Sequence, residues 1–480
     1  MTRHIVLAIF VVYTAIFPFA GDSMAQDAKD QIAASIEARE STYADMAKQI
    51  WGFAELGYQE EKSSRLLESH LEDEGFTIES GVAEMPTAFV ATYGQGKPII
   101  AIFSEYDALP CLSQDAVPER KPIVEGGSGH GCGHHLFGTG SAAAAVAVKD
   151  WLAKSKTTGT IRLYGAPAEE GGWAKGYMVL AGLFDDVDVA LHWHPGDRND
   201  ASPFTWQAVR GAKFRFHGVS AHAAVSPERG RSALDGVEAM NHMVNMLREH
   251  VPSEARMHYV ITSGGSAPNV VPDFAEVDYF VRHPGLMILA GIWDRILKAA
   301  EGAALGTGTR MEYEVTGGAY NMLINETLHK LMDSNLRRVG GVKYTSEEMA
   351  FAESIRKTLG ETELVLGSQE EIQPYQQKAI PGFTDAADVS WIVPTAEIIT
   401  ATYVPGTAPH TWQAVAAGGT SIGVKGMVVA AKTIAMTAVD LFVESSYIDQ
   451  AHKEFRERRG ADFQFRSFLG DSKPPLDFRK

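Results

Sequence analysis

The sequence predicts an α/β fold in which a large domain is interrupted by a smaller α+β insertion. Three observations carry this expectation. Short apolar runs alternate with helix-length amphipathic stretches over most of the chain, the pattern of a sheet covered by helices. Between residues 206 and 320 the order changes to strand-helix-strand-strand-helix-strand, that of a small ferredoxin-like sandwich. Cysteine, histidine and glutamate residues follow several of the apolar runs, where open α/β sheets bind their ligands.

The elements follow in order. Met1-Thr2-Arg3-His4 is a short basic stretch, residues 5–20 are almost wholly apolar, and Ser23-Met24-Ala25 offers small residues to a signal peptidase. Residues 1–25 thus read as an export leader, with an uncleaved anchor as the alternative, and a periplasmic or secreted location is expected. No later apolar run approaches the length of a membrane span. Residues 28–50 read as one amphipathic helix and 62–74 as a second. Strands are expected at 98–103, 160–166, 187–191 and 397–403. An alanine-rich helix is expected over 139–152 and a hydrophobic one over 426–444. In the insertion, 213–216, 258–262, 275–281 and 310–315 read as strands, and 232–250 and 286–304 as helices. The large domain therefore takes residues 26–205 and 321–480, and the insertion 206–320. The charged stretch 452–480, containing Lys473-Pro474-Pro475-Leu476, reads as a tail wrapped on the surface.

Bulk properties narrow the function. A chain of 480 residues can bury a large core in two or three domains. A net charge of −17 argues against nucleic-acid binding, which needs a basic face. There are two cysteines, Cys111 and Cys132. In an oxidising compartment they could pair. Against this, Cys132 stands among histidines, which suits a metal-bound thiolate.

The stretch Gly131-Cys132-Gly133-His134-His135 carries most information. It places a thiolate and an imidazole two positions apart in a glycine-rich turn, a donor pair suited to zinc or a similar transition metal. Glu169-Glu170, His192/His194 and His410 each stand near the end of an expected strand. Adjacent glutamates point in different directions, so one can ligate a metal while its neighbour faces a bound water. Glu169 is assigned as general base and acid and Glu170 as ligand; a solvated acidic turn is the alternative. Donors scattered this widely do not suit a closed structural zinc site, whose ligands usually lie close in sequence.

Seven stretches together resemble a known family. They are Trp51–Gly57, Glu105-Tyr106-Asp107-Ala108-Leu109-Pro110, Gly129–His134, Pro167-Ala168-Glu169-Glu170-Gly171-Gly172, Ser220-Ala221-His222-Ala223, Asn269-Val270-Val271-Pro272 and His410-Thr411-Trp412. In this order they resemble the metal-dependent aminoacylase and carboxypeptidase peptidase family, in its amidohydrolase branch. The resemblance implies a zinc-peptidase-like catalytic domain with an inserted lid and dimerisation domain. It implies two divalent metal ions, zinc or manganese, held by Cys132, His134, Glu170, His194 and His410, with His192 the alternative to His194. Glu169 matches the catalytic glutamate. Asp107, His135 and His192 would orient the ligands from behind, and Glu105 stands where other branches carry a histidine.

On the insertion, His222 matches a histidine that polarises the scissile carbonyl, often in the partner subunit's site. Asn269 matches a substrate-contacting amide, and Arg282 is a candidate for a substrate carboxylate. The implied activity is hydrolysis of the amide bond of an N-acyl amino acid or small peptide, with an aminobenzoyl-glutamate-type substrate favoured. A dipeptidase of the same chemistry and a non-catalytic exported binding protein are the rivals. A homodimer is expected, with a second, different subunit possible.

Overall fold

The computed structural model describes residues 20–479, so the expected leader lies almost wholly outside the described residues. The single helix expected over 28–50 is two helices, α1 (Ala20–Ala38) and α2 (Glu40–Phe53). The break falls at Arg39, whose guanidinium turns to Asp150 at 2.7 Å. Hydrophobic periodicity hides it, because both helices bury an apolar face, Ile32 and Ile36 before the break and Tyr43 and Ile50 after it.

Helix α3 (Glu61–Asp73) leads into an antiparallel pair, β1 (Thr77–Ser80) and β2 (Phe89–Gln95). The sequence pattern does not announce this pair, since β1 is largely exposed and polar and β2 is interrupted by Gly94. Then follow β3 (Ile99–Ser104), α4 (His134–Ser155), β4 (Gly159–Gly165), α5 (Ala174–Leu180) and β5 (Val189–Gly196). A two-residue strand, β6 (Phe204–Thr205), ends this half.

The insertion has the expected order: β7 (Ala208–His217), α6 (Ala233–Leu247), β8 (Arg256–Ser263), β9 (Phe274–His283), α7 (Leu286–Thr307) and β10 (Arg310–Ala319). Its antiparallel sheet runs β10-β7-β9-β8, the topology of a split βαβ sandwich. Phe214, Phe216, Val277, Tyr279, Trp293 and Ile296 form a core of their own.

The chain returns through α8 (Glu326–Val339), α9 (Ser346–Arg356), β11 (Lys378–Ala379), α10 (Ala386–Ser390), β12 (Thr395–Ala401), α11 (Trp412–Gly418), α12 (Ser421–Val443) and α13 (Ser446–Arg459). Strand β11 pairs with β6. The central sheet runs β1-β2-β4-β3-β5-β12, with β4, β3, β5 and β12 parallel. These four are apolar because helices cover both faces of a parallel sheet. Ile100, Ile102 and Phe103 are wholly buried, each worth about 1.5–3 kcal/mol of transfer free energy. Helix α4 carries Ala142 to Ala147 into the core, so it packs closely against the sheet.

Two expectations need correction. Helix α12 is long and apolar enough to cross a membrane, but 89% of its most apolar window is buried. It is a core helix packed on α1, α4 and α8. The tail is not a simple surface wrap. Part of it is helix α13, and beyond that Phe468 and Leu469 are buried at 7% and 1% exposure.

Candidate metal centre and active site

The centre is built at the carboxyl ends of the parallel strands. Glu105 and Asp107 follow β3, Glu169 and Glu170 follow β4, and His410 lies in the loop after β12. His194 lies within β5, which extends further than expected because β12 pairs with it as far as Gly196. His192 and His194 are two residues apart and share one face of the strand. This is why the sequence leaves the choice between them open.

The glycine turn brings the late histidine to the cysteine. The backbone N–H of His410 donates to the Gly131 carbonyl at 2.9 Å. A side chain at Gly131 would meet Leu112 at 2.6 Å and the His410 Cα at 3.2 Å, so only glycine lets the loops approach this closely. Gly133, at φ 74°, caps α4 and makes His134 the first residue of that helix.

Three triads of donors result: Cys132, His134 and His194; Cys132, Glu170 and His410; and Glu105, His134 and Glu169. Within each, the potential ligand atoms lie within 4.8 Å of one another. Cys132 belongs to the first two. Its Sγ is 3.4 Å from His194 Nε2, and His410 Nε2 is 2.9 Å from Glu170 Oε1. Both cysteines are free, Cys111 exposed and Cys132 buried, which excludes the disulfide reading here.

The electrostatics fit divalent cations. Burial, then Glu170, pushes the Cys132 thiol well above its ordinary value. Burial would lower His134, but Cys132, Asp107 and Glu105 outweigh it and hold the imidazole well above its usual range. The carboxylates of Asp107 and Glu105 therefore favour positive charge at this point. Burial, with His134 nearby, pushes His194 down to about 4. Its Nδ1 lies 2.7 Å from the Pro195 carbonyl. With the proton on Nδ1, the Nε2 lone pair faces the cysteine. Among the described residues, His134 Nε2 and Glu170 Oε1 are buried without a directed hydrogen bond, although Glu105 and His410 approach them at 3.2 and 2.9 Å. This is the geometry of donors aimed at a shared point. A thiolate, two imidazoles, a carboxylate and a third imidazole suit zinc or a similar ion.

Around the donors, Asp107 accepts from the backbone N–H of Glu170 at 3.0 Å and pairs with His134 Nδ1 at 2.7 Å. His192 sits one step back, 3.2 Å from Glu397 and 3.7 Å from Glu105. His135 does not join the group: its Nε2 pairs with the Gly418 carbonyl and its ring packs on His130. Glu169 is buried, and burial followed by Glu105, Glu170 and Asp385 pushes its carboxyl well above the usual range.

His222 belongs to none of the donor triads among the described residues. His222 is exposed, with Nδ1 accepting from the backbone N–H groups of Ala224 and Val225. Exposed Asn269 lies beside it, its carbonyl accepting from Ala223 N–H at 3.0 Å. Arg282 lies over the rings of Phe280 and Phe383, at 4.9 and 5.6 Å.

Lys175, its partner Asp385, and Tyr403 carry little or no signal in the sequence. Lys175 is wholly buried and lies 2.6 Å from both Glu105 and Asp385. The one signal for it is a lysine within an otherwise apolar helix. The Tyr403 hydroxyl is buried without a hydrogen-bond partner among the described residues, and a side chain at Gly133 would meet it at 2.8 Å. Tyr403 ends an expected strand and nothing else marks it.

A parallel sheet that gathers thiolate, imidazole and carboxylate donors beside a buried glutamate defines a metal-dependent hydrolase. The chain belongs to Peptidase family M20/M25/M40, whose sequence profile matches residues 101–411. It is 43% identical to one of the subunits of p-aminobenzoyl-glutamate hydrolase of Escherichia coli, over 88% of this chain and 94% of that protein. It is 27% identical to Xaa-Arg dipeptidase of Mus musculus, over 89% of this chain and 92% of the relative. Among solved structures, it resembles the YXEP protein of Bacillus subtilis, described as a dinuclear metal-binding peptidase of family M20. The TM-score is 0.57 at 18% identity, over 85% of this chain and 99% of that one. The expected α/β peptidase fold and family are thereby shown, and the chain is a metal-dependent amidohydrolase.

Proposed function

We propose that the protein hydrolyses the amide bond of an aminobenzoyl-glutamate-type N-acyl amino acid at a centre of two divalent cations, zinc or manganese. The carrying observation is the membership of Cys132 in two donor triads at once, with Glu169 beside them. One cation would be held by Cys132, His134 and His194, the other by Cys132, Glu170 and His410. When bound, the cations supply Lewis acidity, polarising the amide carbonyl and bringing the pKa of water near 7. Glu169 takes a proton at its carboxylate and returns it to the leaving nitrogen. Asp107 holds the His134 ring and the Glu170 backbone in place.

The substrate class follows from the relative at 43% identity. Exposed His222 and Asn269 support a homodimer in which one copy's insertion completes the other's site. Strand β8 supports the same reading, as a sheet edge carrying Val260 and Ile261 at 65% and 42% exposure. A second, different subunit is also part of the proposal, since the relative is named as one subunit of its enzyme. The apolar leader supports a periplasmic or secreted location.

The test is release of p-aminobenzoate from p-aminobenzoyl-glutamate by zinc- or manganese-loaded protein, wild type against Glu169→Gln. The variant should keep its metal and lose activity by about 10²–10⁴-fold. Equal activity in both would remove the proton-transfer role. Cleavage of dipeptides with a C-terminal arginine, and not of the acyl-glutamate, would favour the dipeptidase reading, which the Xaa-Arg dipeptidase relative supports.

A further inference from the structure

The turn that carries Glu169 and Glu170 is held in an unusual backbone form. Ala168 and Trp173, neither of them glycine, lie at φ 51° and 63°, and Gly171 lies at φ 110°. Such residues persist only where the surroundings over-determine them. Three of the fixing contacts come from the body of the domain. Ala168 N–H donates to Glu60 at 2.8 Å, Glu170 N–H to Asp107 at 3.0 Å, and the Tyr58 hydroxyl to the Gly172 carbonyl at 2.5 Å.

The fourth comes from the far end of the chain. Arg479 Nη2 donates to the Glu170 carbonyl at 2.6 Å, and its guanidinium lies 5.2 Å from the Phe478 ring. Phe478 packs edge-on against Tyr58, with centroids 5.8 Å apart. It also sits over the glycines that flank the turn: a side chain at Gly57 or Gly171 would meet its ring at 3.1 or 3.5 Å.

The segment leading there is anchored along its length. The Tyr320 hydroxyl donates to the Arg466 carbonyl at 2.5 Å, and Phe468 joins the core of the insertion. Leu469 joins the large core, and the Tyr177 hydroxyl donates to the Lys473 carbonyl at 3.0 Å. Lys473 pairs with Glu84 at 2.8 Å. The last residues are therefore delivered to the Glu169-Glu170 turn by a fixed path from the base of the insertion.

We propose that Phe478 and Arg479 are positioning residues: this pair clamps the turn so that Glu170 and Glu169 face the donor cluster. The proposal rests on the two-cation reading above. Arg479 holds the carbonyl of a residue whose own side chain lies 2.9 Å from His410, so releasing it frees one donor of the Cys132, Glu170 and His410 triad.

The experiment uses full-length protein titrated with cobalt(II), followed by its absorption spectrum, with melting temperature and hydrolysis of p-aminobenzoyl-glutamate measured alongside. Wild type, Arg479→Ala, Arg479→Lys and Phe478→Ala are compared. In Arg479→Ala and Phe478→Ala, the second equivalent of cobalt should bind about 10–100-fold more weakly, as for other residues that support ligands. The first equivalent and the melting temperature should hold, and kcat should fall more than KM rises. Arg479→Lys should recover much of the loss, because an ammonium can still donate to the Glu170 carbonyl. Unchanged second-site affinity and kcat in both Ala variants would overturn the clamp, as would a lowered melting temperature with metal binding intact. A wild-type protein that takes up only one cobalt would overturn the two-cation reading, an outcome visible without any variant.

Discussion

Asp107 Oδ1 lies 2.7 Å from His134 Nδ1, with both side chains buried, and the other oxygen of the same carboxylate accepts from the backbone N–H of Glu170. One side chain thus fixes a donor from each of the two triads that share Cys132. Asp107→Asn should keep the shape but weaken the hold on the His134 ring. Metal affinity is expected to fall about 10–100-fold, measured by competition against a chromophoric chelator. Affinity equal to wild type would show that Asp107 is an ordinary turn residue.

Lys175 lies between Glu105 and Asp385, at 2.6 Å from each, and all three are buried. Removing one partner of such a group leaves uncompensated buried charge. Lys175→Met is expected to cost about 3–5 kcal/mol of stability, measured by urea unfolding. An unchanged unfolding midpoint would contradict this role.

Asp388 gives the fold a pH dependence separate from the metal donors. It is wholly buried, and burial pushes its carboxyl up to about 8, although it accepts from the Tyr320 N–H. In the unfolded chain it loses its proton near pH 4. Between these values the folded state holds the extra proton, so stability is fully present below about pH 4 and is lost as pH rises towards 8. The contribution is about 1.4 kcal/mol per pH unit in that window. Asp388→Asn should therefore show a shallower decline of melting temperature from about pH 5 to 8. Parallel profiles would refute the assignment.

Most of the site was legible because its chemistry stands where the hydrophobic pattern marks strand ends. The runs that became β4 and β12 located Glu169, Glu170 and His410 without a structure. The His192 and His194 ambiguity has a physical origin, since both face one side of β5, where His194 lies 3.4 Å from Cys132 and His192 lies 3.2 Å from Glu397. Lys175 and Asp385 were invisible because they are 210 residues apart and meet only in the folded chain. The break at Arg39 depends on a distant partner, Asp150. The polar composition of the tail suggested a solvated surface, whereas Phe468, Leu469 and Phe478 give it anchor points in both cores and at the catalytic turn.

The central claim is that one thiolate is shared by two cations. Anomalous diffraction from crystals of the zinc- or manganese-loaded chain tests it most directly. Two peaks are expected, both bonded to Cys132 Sγ, one also to His134 and His194 and the other to Glu170 and His410. A single peak, or two peaks that do not share the Cys132 sulfur, would contradict it.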